Sequence, residues 1–492
     1  MERSVKMEMQ VSLRRPATQP PTIGIRRLPV EVVTGVLATL DSTKDLISAI
    51  RSHRVFFNGF HSYQQRVLKG IMIHMIPREI LPLAIATHEA ALLVDIEIWE
   101  EIQPLILSLL SIINSTSPES SPLYPRVTLQ LATALEKTHR MVEYFTNDYV
   151  ASAIPALNDL FGASKGKNVS AVERCRLYRA FYRFQLYCNI YGRHAIEKTR
   201  RAVRRTHAWH AATYRRSDED TRRELACFFH PWPPWMNEQL ACVFEYLETK
   251  LSVVFNDVAA HDVEWGWKKI DWVSWTVAVP TRRFMLLHGI PFLHELTTSS
   301  DFQHWKELLD SAYMQRRFNA SVGSSGNPLE DSLRRCRNQE QLDVAAQNRR
   351  QTGEPLLGEY DVGMLRALVP ARGQWEGGID DVTTLAVQLW KHAHHYRRGS
   401  QMAVFLDRLR FLRETGYIFW DGPLVRDSNA PDPRRKVRNP AWNPNRIPRR
   451  DEVQQQTKEM HDSWKIRRDI FLEGGSGYWA PGSGSRVVYQ YL

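Results

Sequence analysis

The chain has little cysteine: five in 492 residues, at positions 175, 188, 227, 242 and 336, none in a CxxC pair. That excludes a disulfide framework or a cysteine-rich zinc module and suits a reducing compartment. Long apolar runs are missing too. The longest, Ile102 to Ile113, is interrupted by Gln103, Pro104, Ser108 and Ser111 and is too short to span a bilayer. The first 22 residues contain no apolar leader and run into Pro-rich sequence, so they read as a disordered arm. The expected setting is therefore intracellular, cytoplasm and/or nucleus, with no membrane partner. Signatures of the common catalytic sites are absent: no HExxH, GxSxG or GxGxxG, and no kinase set. The tract Gly162 to Asn168 hints at a phosphate loop. It is one residue short, has Asn168 where Ser or Thr is needed, and follows no strand. The reading is a non-enzyme that uses no cofactor and no metal.

What the chain does have is apolar and aromatic bulk. It is 43% hydrophobic and carries 15 Trp, which favours a large packed interior over disorder. Apolar residues recur at helical spacing over most of the length, so the expected fold is mostly α: an N-terminal three-helix unit followed by a large, irregular helical domain. The boundaries expected are an arm over 1–22, the small unit over 23–76, and the body over 77–421. A sub-boundary is expected near 114–126, where Ser and Pro cluster, and an extended, largely irregular arm over 422–492. Within that arm only Asp451 to Phe471 keeps a helical period, and Tyr478-Trp479 suggests an ordered patch. Ser170 with Glu173 forms a capping box. It opens a helix with Leu177, Phe181, Phe184 and Cys188 on a core face. The β-branched and Trp-rich tract Val263 to Val279 leaves a short strand pair open. Gly289 and Pro291 read as the end of a helix over Thr281 to His288, and Ser300 with Gln303 as the cap of the next.

Charge is unevenly placed. The formal net charge is +11, and residues 165–223 alone hold 16 Lys and Arg against 5 Asp and Glu. The stretch Arg193 to Arg216 interleaves positive charge with Tyr, His and Trp, a composition suited to phosphate contacts and base stacking. Its candidate nucleic-acid residues are Arg200, Arg201, Arg204, Arg205, Arg215 and Arg216. The competing reading is a solvated helix that pairs with acids such as Glu97, Glu100 and Glu101. That reading is favoured because no recognised nucleic-acid module accompanies the stretch. His392, His394 and His395 resemble a metal cluster only in part, since a fuller ligand set is not in sight.

The stretch with the clearest organisation is Leu28 to Phe60. Leu28-Pro29-Val30-Glu31 places Pro at the start of a helix, where its fixed φ and missing N–H cost nothing. Val32, Val36, Leu37 and Leu40 repeat at helical spacing. After a break at Asp41, Ser42 and Asp45 cap a second short helix with Leu46, Ile47 and Ile50. Val55, Phe56, Phe57 and Phe60 begin a third, which Tyr63 to Ile76 either continues or follows with a fourth. LPxE, an apolar helix, a polar break at Asp, a short Asp-Leu helix and an aromatic cluster together resemble an F-box. The resemblance implies docking on a Skp-type adaptor of a cullin ubiquitin ligase, with the remaining chain binding a protein client and other subunits transferring ubiquitin. A unit of about forty residues shows more apolar side chains than its own core can use. Leu28, Pro29, Val32, Val33, Val36, Leu37 and Leu40, with Leu46 beside them, form that excess and are the expected anchors in a partner groove. The tracts Glu224 to Leu247 and Leu412 to Asp421 also resemble stretches of large, uncharacterised fungal F-box-like proteins, and they imply no chemistry. Two other functions stay open: a helical scaffold without a ligase role, and a nucleic-acid binder through residues 193–216.

Overall fold

The computed structural model describes residues 28–92, 127–161, 166, 168–196, 218–229, 232, 234–274, 278–316, 327–335, 385–394, 410–421 and 450–481. The chain divides into two units, residues 1–75 with 127–132, and residues 76–126 with 133–492. The fold is mostly α. Among the described residues there is no strand, only an isolated bridge between Asp262 and Tyr478.

The first unit is built from four short helices: α1 (Val30–Ala38), α2 (Thr43–Ser52), α3 (Arg54–Ser62) and α4 (Gln64–Met75). Each start is set locally. Pro29 occupies the N-cap of α1, and its carbonyl accepts from the amides of Val32 and Val33 at 3.1 and 3.2 Å. Ser42 caps α2 by accepting from the Asp45 amide at 3.0 Å. The His53 ring nitrogen Nδ1 accepts from the Val55 amide at 3.1 Å and caps α3. Tyr63 breaks the chain between α3 and α4, so residues 64–75 form a separate fourth helix. Val33, Leu37, Leu46, Val67 and Leu68 are buried. Two glycines permit the close packing. A Cβ at Gly59 would lie 2.8 Å from the Val33 side chain, and one at Gly70 would lie 2.7 Å from the Ala38 carbonyl. The Gln65 amide ties in the segment at 127 through a 2.6 Å bond to the Val127 carbonyl.

The second unit is larger. Its elements are α5 (Leu81–Leu92), most of α6 (Leu129–Phe161), α7 (Ala171–Tyr187), α8 (Asp218–Glu224), α9 (Pro234–His261), α10 (Val263–Trp267), α11 (Ala278–Met285), α12 (Gly289–Thr298), α13 (Phe302–Arg316), α14 (Pro328–Arg335), α15 (Leu385–His394), α16 (Arg410–Glu414) and α17 (Arg450–Leu472). The capping box at Ser170 and Glu173 is formed on both sides. α7 packs against α5 and α9 and is buried on every face, including Arg176, Arg179 and Arg183. Around it Phe145, Tyr149, Phe181, Tyr246 and Phe419 meet mostly edge to face, the geometry that ring quadrupoles prefer.

A helix buried on every face must give each polar group a partner. Arg176 donates to the Phe419 carbonyl at 3.1 Å and pairs with Asp421 at 2.8 Å. Arg179 donates to Gln239 at 3.0 Å. Arg183 donates to the Met236 carbonyl and to Asn237, and its guanidinium lies 4.3 Å from the Trp232 ring centre. From α16, Arg413 reaches Glu238 and Glu245 of α9, each at 2.8 Å.

Several local expectations change in the fold. α6 runs unbroken from Leu129 to Phe161, although Pro155 lies inside it. Among its described residues the tract Val263 to Val279 forms no strand pair: Asp262 caps the short helix α10 through the Trp265 amide instead. Gly289 does not end the helical region. At φ +80° it turns the chain, and α12 starts there with Pro291 in its first turn, where a missing N–H is harmless. The amide of Gln303 bonds to Asp301 at 3.1 Å, so Asp301 and not Ser300 serves the start of α13. The C-terminal stretch is not an extended arm over 450–481: α17 packs on α10, and Trp479 is buried. The sub-boundary expected near 114–126 lies outside the described residues.

Arg413→Ala would leave two buried carboxylates without their cation. It is expected to destabilise the protein by about 3–5 kcal/mol, as breaking a buried pair does. A urea titration followed by Trp fluorescence measures this. Arg413→Lys is expected to recover only part of the loss, because an ammonium cannot fork across two carboxylates as a guanidinium does.

Candidate functional site

At 3.6 residues per turn, the apolar residues of α1 fall on two faces, and the fold uses the two differently. Val33 and Leu37 turn inward and are buried. Pro29, Val32 and Val36 turn outward, with Val32 47% and Val36 50% exposed. Leu28 and Leu40 are half-buried. The expected anchor set is therefore divided. Val33, Leu37 and Leu46 cannot serve a partner, because they hold their own unit together. The accessible edge is Pro29, Val32 and Val36 at i, i+3 and i+7, flanked in sequence by Leu28 and Leu40.

Another exposed apolar residue of this unit escaped the sequence reading. Phe57 on α3 is 50% exposed and stacks on His61 with ring centres 6.0 Å apart. The signal was present: Phe57 shares its helical face with Arg54, Asn58 and His61, all exposed. Grouping it with Phe56 and Phe60 as one aromatic cluster hid that difference.

The second unit holds the other constellation that deserves a chemical test. Arg413, Glu238, Glu245, Tyr417, Tyr149 and Cys242 converge in its interior. The Tyr417 hydroxyl donates to Glu238 at 3.1 Å, and the Tyr149 hydroxyl donates to the Arg413 carbonyl at 2.8 Å. Burial opposes the charge on Arg413, but Glu238 and Glu245 outweigh it and hold the guanidinium above its usual range. Burial pushes the Glu245 carboxyl up to about 7, with Arg413 and Arg410 pulling the other way. Burial likewise raises Tyr149, Tyr417 and Cys242 well above their ordinary values. Such a thiol and such phenols stay protonated and are poor nucleophiles. All of these side chains are buried, so a substrate has no approach to them. The cluster is a structural lock. The remaining described thiols are no more reactive: Cys175 is pushed up to about 11 by burial, and Cys188 and Cys227 are raised by the same cause.

Among the described residues no group of three or more His, Cys, Asp or Glu is placed to hold a metal ion. None of their helices is long and apolar enough to cross a membrane. Arg200, Arg201, Arg204, Arg205, Arg215 and Arg216 lie outside the described residues, as do His395, Glu97, Glu100 and Glu101. Of the wider basic tract 165–223, Arg193 and Arg222 are described and exposed. Arg176, Arg179 and Arg183 face the interior and bond to protein atoms. No family model, no curated protein and no solved structure matches this chain.

The two faces of α1 are expected to respond oppositely to substitution. Leu37→Ala removes buried methyl groups and should cost the first unit about 2–5 kcal/mol. Val36→Ser, on the open face, should change stability by no more than about 0.5 kcal/mol. Hydrogen exchange of the α1–α4 amides separates the two outcomes.

Proposed function

We propose that the chain is a substrate-recognition adaptor of a cullin ubiquitin ligase. The first unit docks on a Skp-type subunit, and the helical body binds a protein client. The chain performs no chemistry of its own in this reading, and ubiquitin transfer belongs to other subunits. One observation carries it. On α1 the face bearing Val33 and Leu37 builds the unit, while Pro29, Val32 and Val36 form an apolar edge left open to solvent. This edge belongs to the stretch whose LPxE opening and short capped helices resemble an F-box.

The physical basis is groove filling. Apolar side chains at i, i+3 and i+7 on a rigid helix are suitable anchors for a partner groove. Pro29 and the capped start of α1 fix their geometry before binding, so little ordering entropy is lost. Moving two half-exposed valines fully out of water contributes on the order of 1 kcal/mol each. Their removal is therefore expected to weaken docking by about tenfold or more.

The test is co-purification. Full-length wild type is expected to retain a purified Skp-type adaptor. The double variant Val32→Asp with Val36→Asp should lose it while keeping its helical circular dichroism. Val253→Asp, at an exposed position of α9 in the other unit, should bind like wild type. Failure of wild type to bind, or equal binding by the double variant, overturns the proposal.

A further inference from the structure

α17 and the residues after it meet the body at one corner, where α9 ends and α10 begins. A helix leaves its last carbonyls without intrahelical partners. For α9 the C-terminal segment supplies them. The Arg467 guanidinium donates to the carbonyls of Ala259 at 2.8 Å and Asp262 at 2.7 Å. The Trp479 amide donates to the His261 carbonyl at 2.7 Å, and the Val263 amide donates back to the Gly477 carbonyl at 2.9 Å. Trp464 adds a bond from its indole nitrogen to the Ile270 carbonyl at 3.1 Å.

The apolar part of this joint is small. Val263, Ile470 and Trp479 form a buried cluster of their own, with Phe471 against it and stacked on Trp267 at 4.7 Å. Over residues 450–481 the only buried large apolar side chains are Met460, Ile470 and Trp479. Most other side chains of α17 face solvent. A helix held by a satellite cluster and a few polar caps is the kind of segment that opens by itself, without global unfolding.

We propose that residues 450–481 form a detachable strap, a helical ligand carried in cis that seats on the α9–α10 corner through Arg467, Ile470 and Trp479. Release leaves the body folded and bares Val263, Ile270, Trp272 and the terminal carbonyls of α9 as a receptor face for a helix.

The corner also couples seating to protons. Asp262 is fully buried, and its Oδ2 accepts no hydrogen bond. The charged and titratable groups around it are Lys306 at 3.8 Å, Asp310, Glu264 and Lys268, with Arg467 from the strap and the His261–Asp257 pair on α9. Burial, opposed by Lys306 and the Trp265 amide, raises the Asp262 carboxyl from 3.8 to about 6. With the strap off, water reaches the carboxyl and the shift relaxes. The seated state therefore binds the proton more tightly. Its advantage is complete below the unshifted value and is lost as pH rises through about 6.

Hydrogen exchange on the full-length protein tests this. After correction for intrinsic rates, α17 amides are expected to exchange faster than those of α7 and α9, as one cooperative block. Their protection should rise about fourfold from pH 7.5 to 5.5, the change that a carboxyl moving between 3.8 and 6 implies. Asp262→Asn keeps the helix cap and should abolish that rise. Gly266→Ala places a methyl against the Arg467 side chain. It should lower α17 protection at least tenfold while α7 and α9 keep theirs. The strap is overturned if α17 exchanges only together with α7 and α9 in wild type and in Gly266→Ala. Proton coupling is overturned if Asp262→Asn retains the wild-type pH response.

Discussion

The second unit depends on cations that sit where water cannot reach them. Arg413 joins Glu238 and Glu245, while Arg176, Arg179 and Arg183 bond carbonyls and amides on α9 and on the segment ending at Asp421. Each bond links positions far apart in sequence: 175 residues between Arg413 and Glu238, 243 between Arg176 and Phe419. Burying charge is costly, and an apolar substitute of the same shape is often as stable. What the guanidinium adds is direction. A Leu in place of Arg413 would fill the space in many orientations. The fork accepts only the one in which both carboxylates are in reach.

That constraint explains why the body is irregular. Short pieces such as α16, with few residues of helix, cannot hold themselves in place by amphipathic packing alone. Arg413 fixes α16 against α9, and the following turn then buries Tyr417, Ile418, Phe419 and Trp420. The same device recurs at the C-terminus with a different acceptor set. Arg467 bonds the backbone carbonyls of Ala259 and Asp262 and the Ser463 hydroxyl, and among the described residues no carboxylate is hydrogen-bonded to it. The first joint is deep in the core and the second is at a helix end with a small apolar cluster. Both arginines are fully buried, and what differs is the extent of apolar packing around each.

The first unit works on the opposite principle. Its buried residues are apolar apart from Thr34, Ser42 and Thr43, and its helix starts are made by Pro29, Ser42 and His53 from the adjoining sequence. Nothing in it needs a distant charge. An apolar edge on such a unit is therefore spare. Val32 and Val36 could be polar without loss to the unit's own packing, and their being valine is the physical reason to look for a partner there.

The residues alone decided what depends on neighbours a few positions away. Helical period, the Ser42 cap, the Ser170–Glu173 capping box and the mostly α fold all follow from local geometry, and all are present. Which face of α1 is spare was not legible, because Val32, Val33 and Val36 are the same residue type and only the packing of α3 and α4 separates them. The interior place of the α7 arginines was not legible, since a guanidinium is soluble until distant acceptors surround it. Gly289 and Pro291 read as a stop, although a positive φ followed by a helical first turn suits the same two residues. The C-terminal helix read as part of an arm because its partner, the corner at Asp262, lies about two hundred residues earlier in the chain. Periodicity is written along the chain and can be read there. Burial is a property of what comes to lie alongside, and only the folded body supplies it.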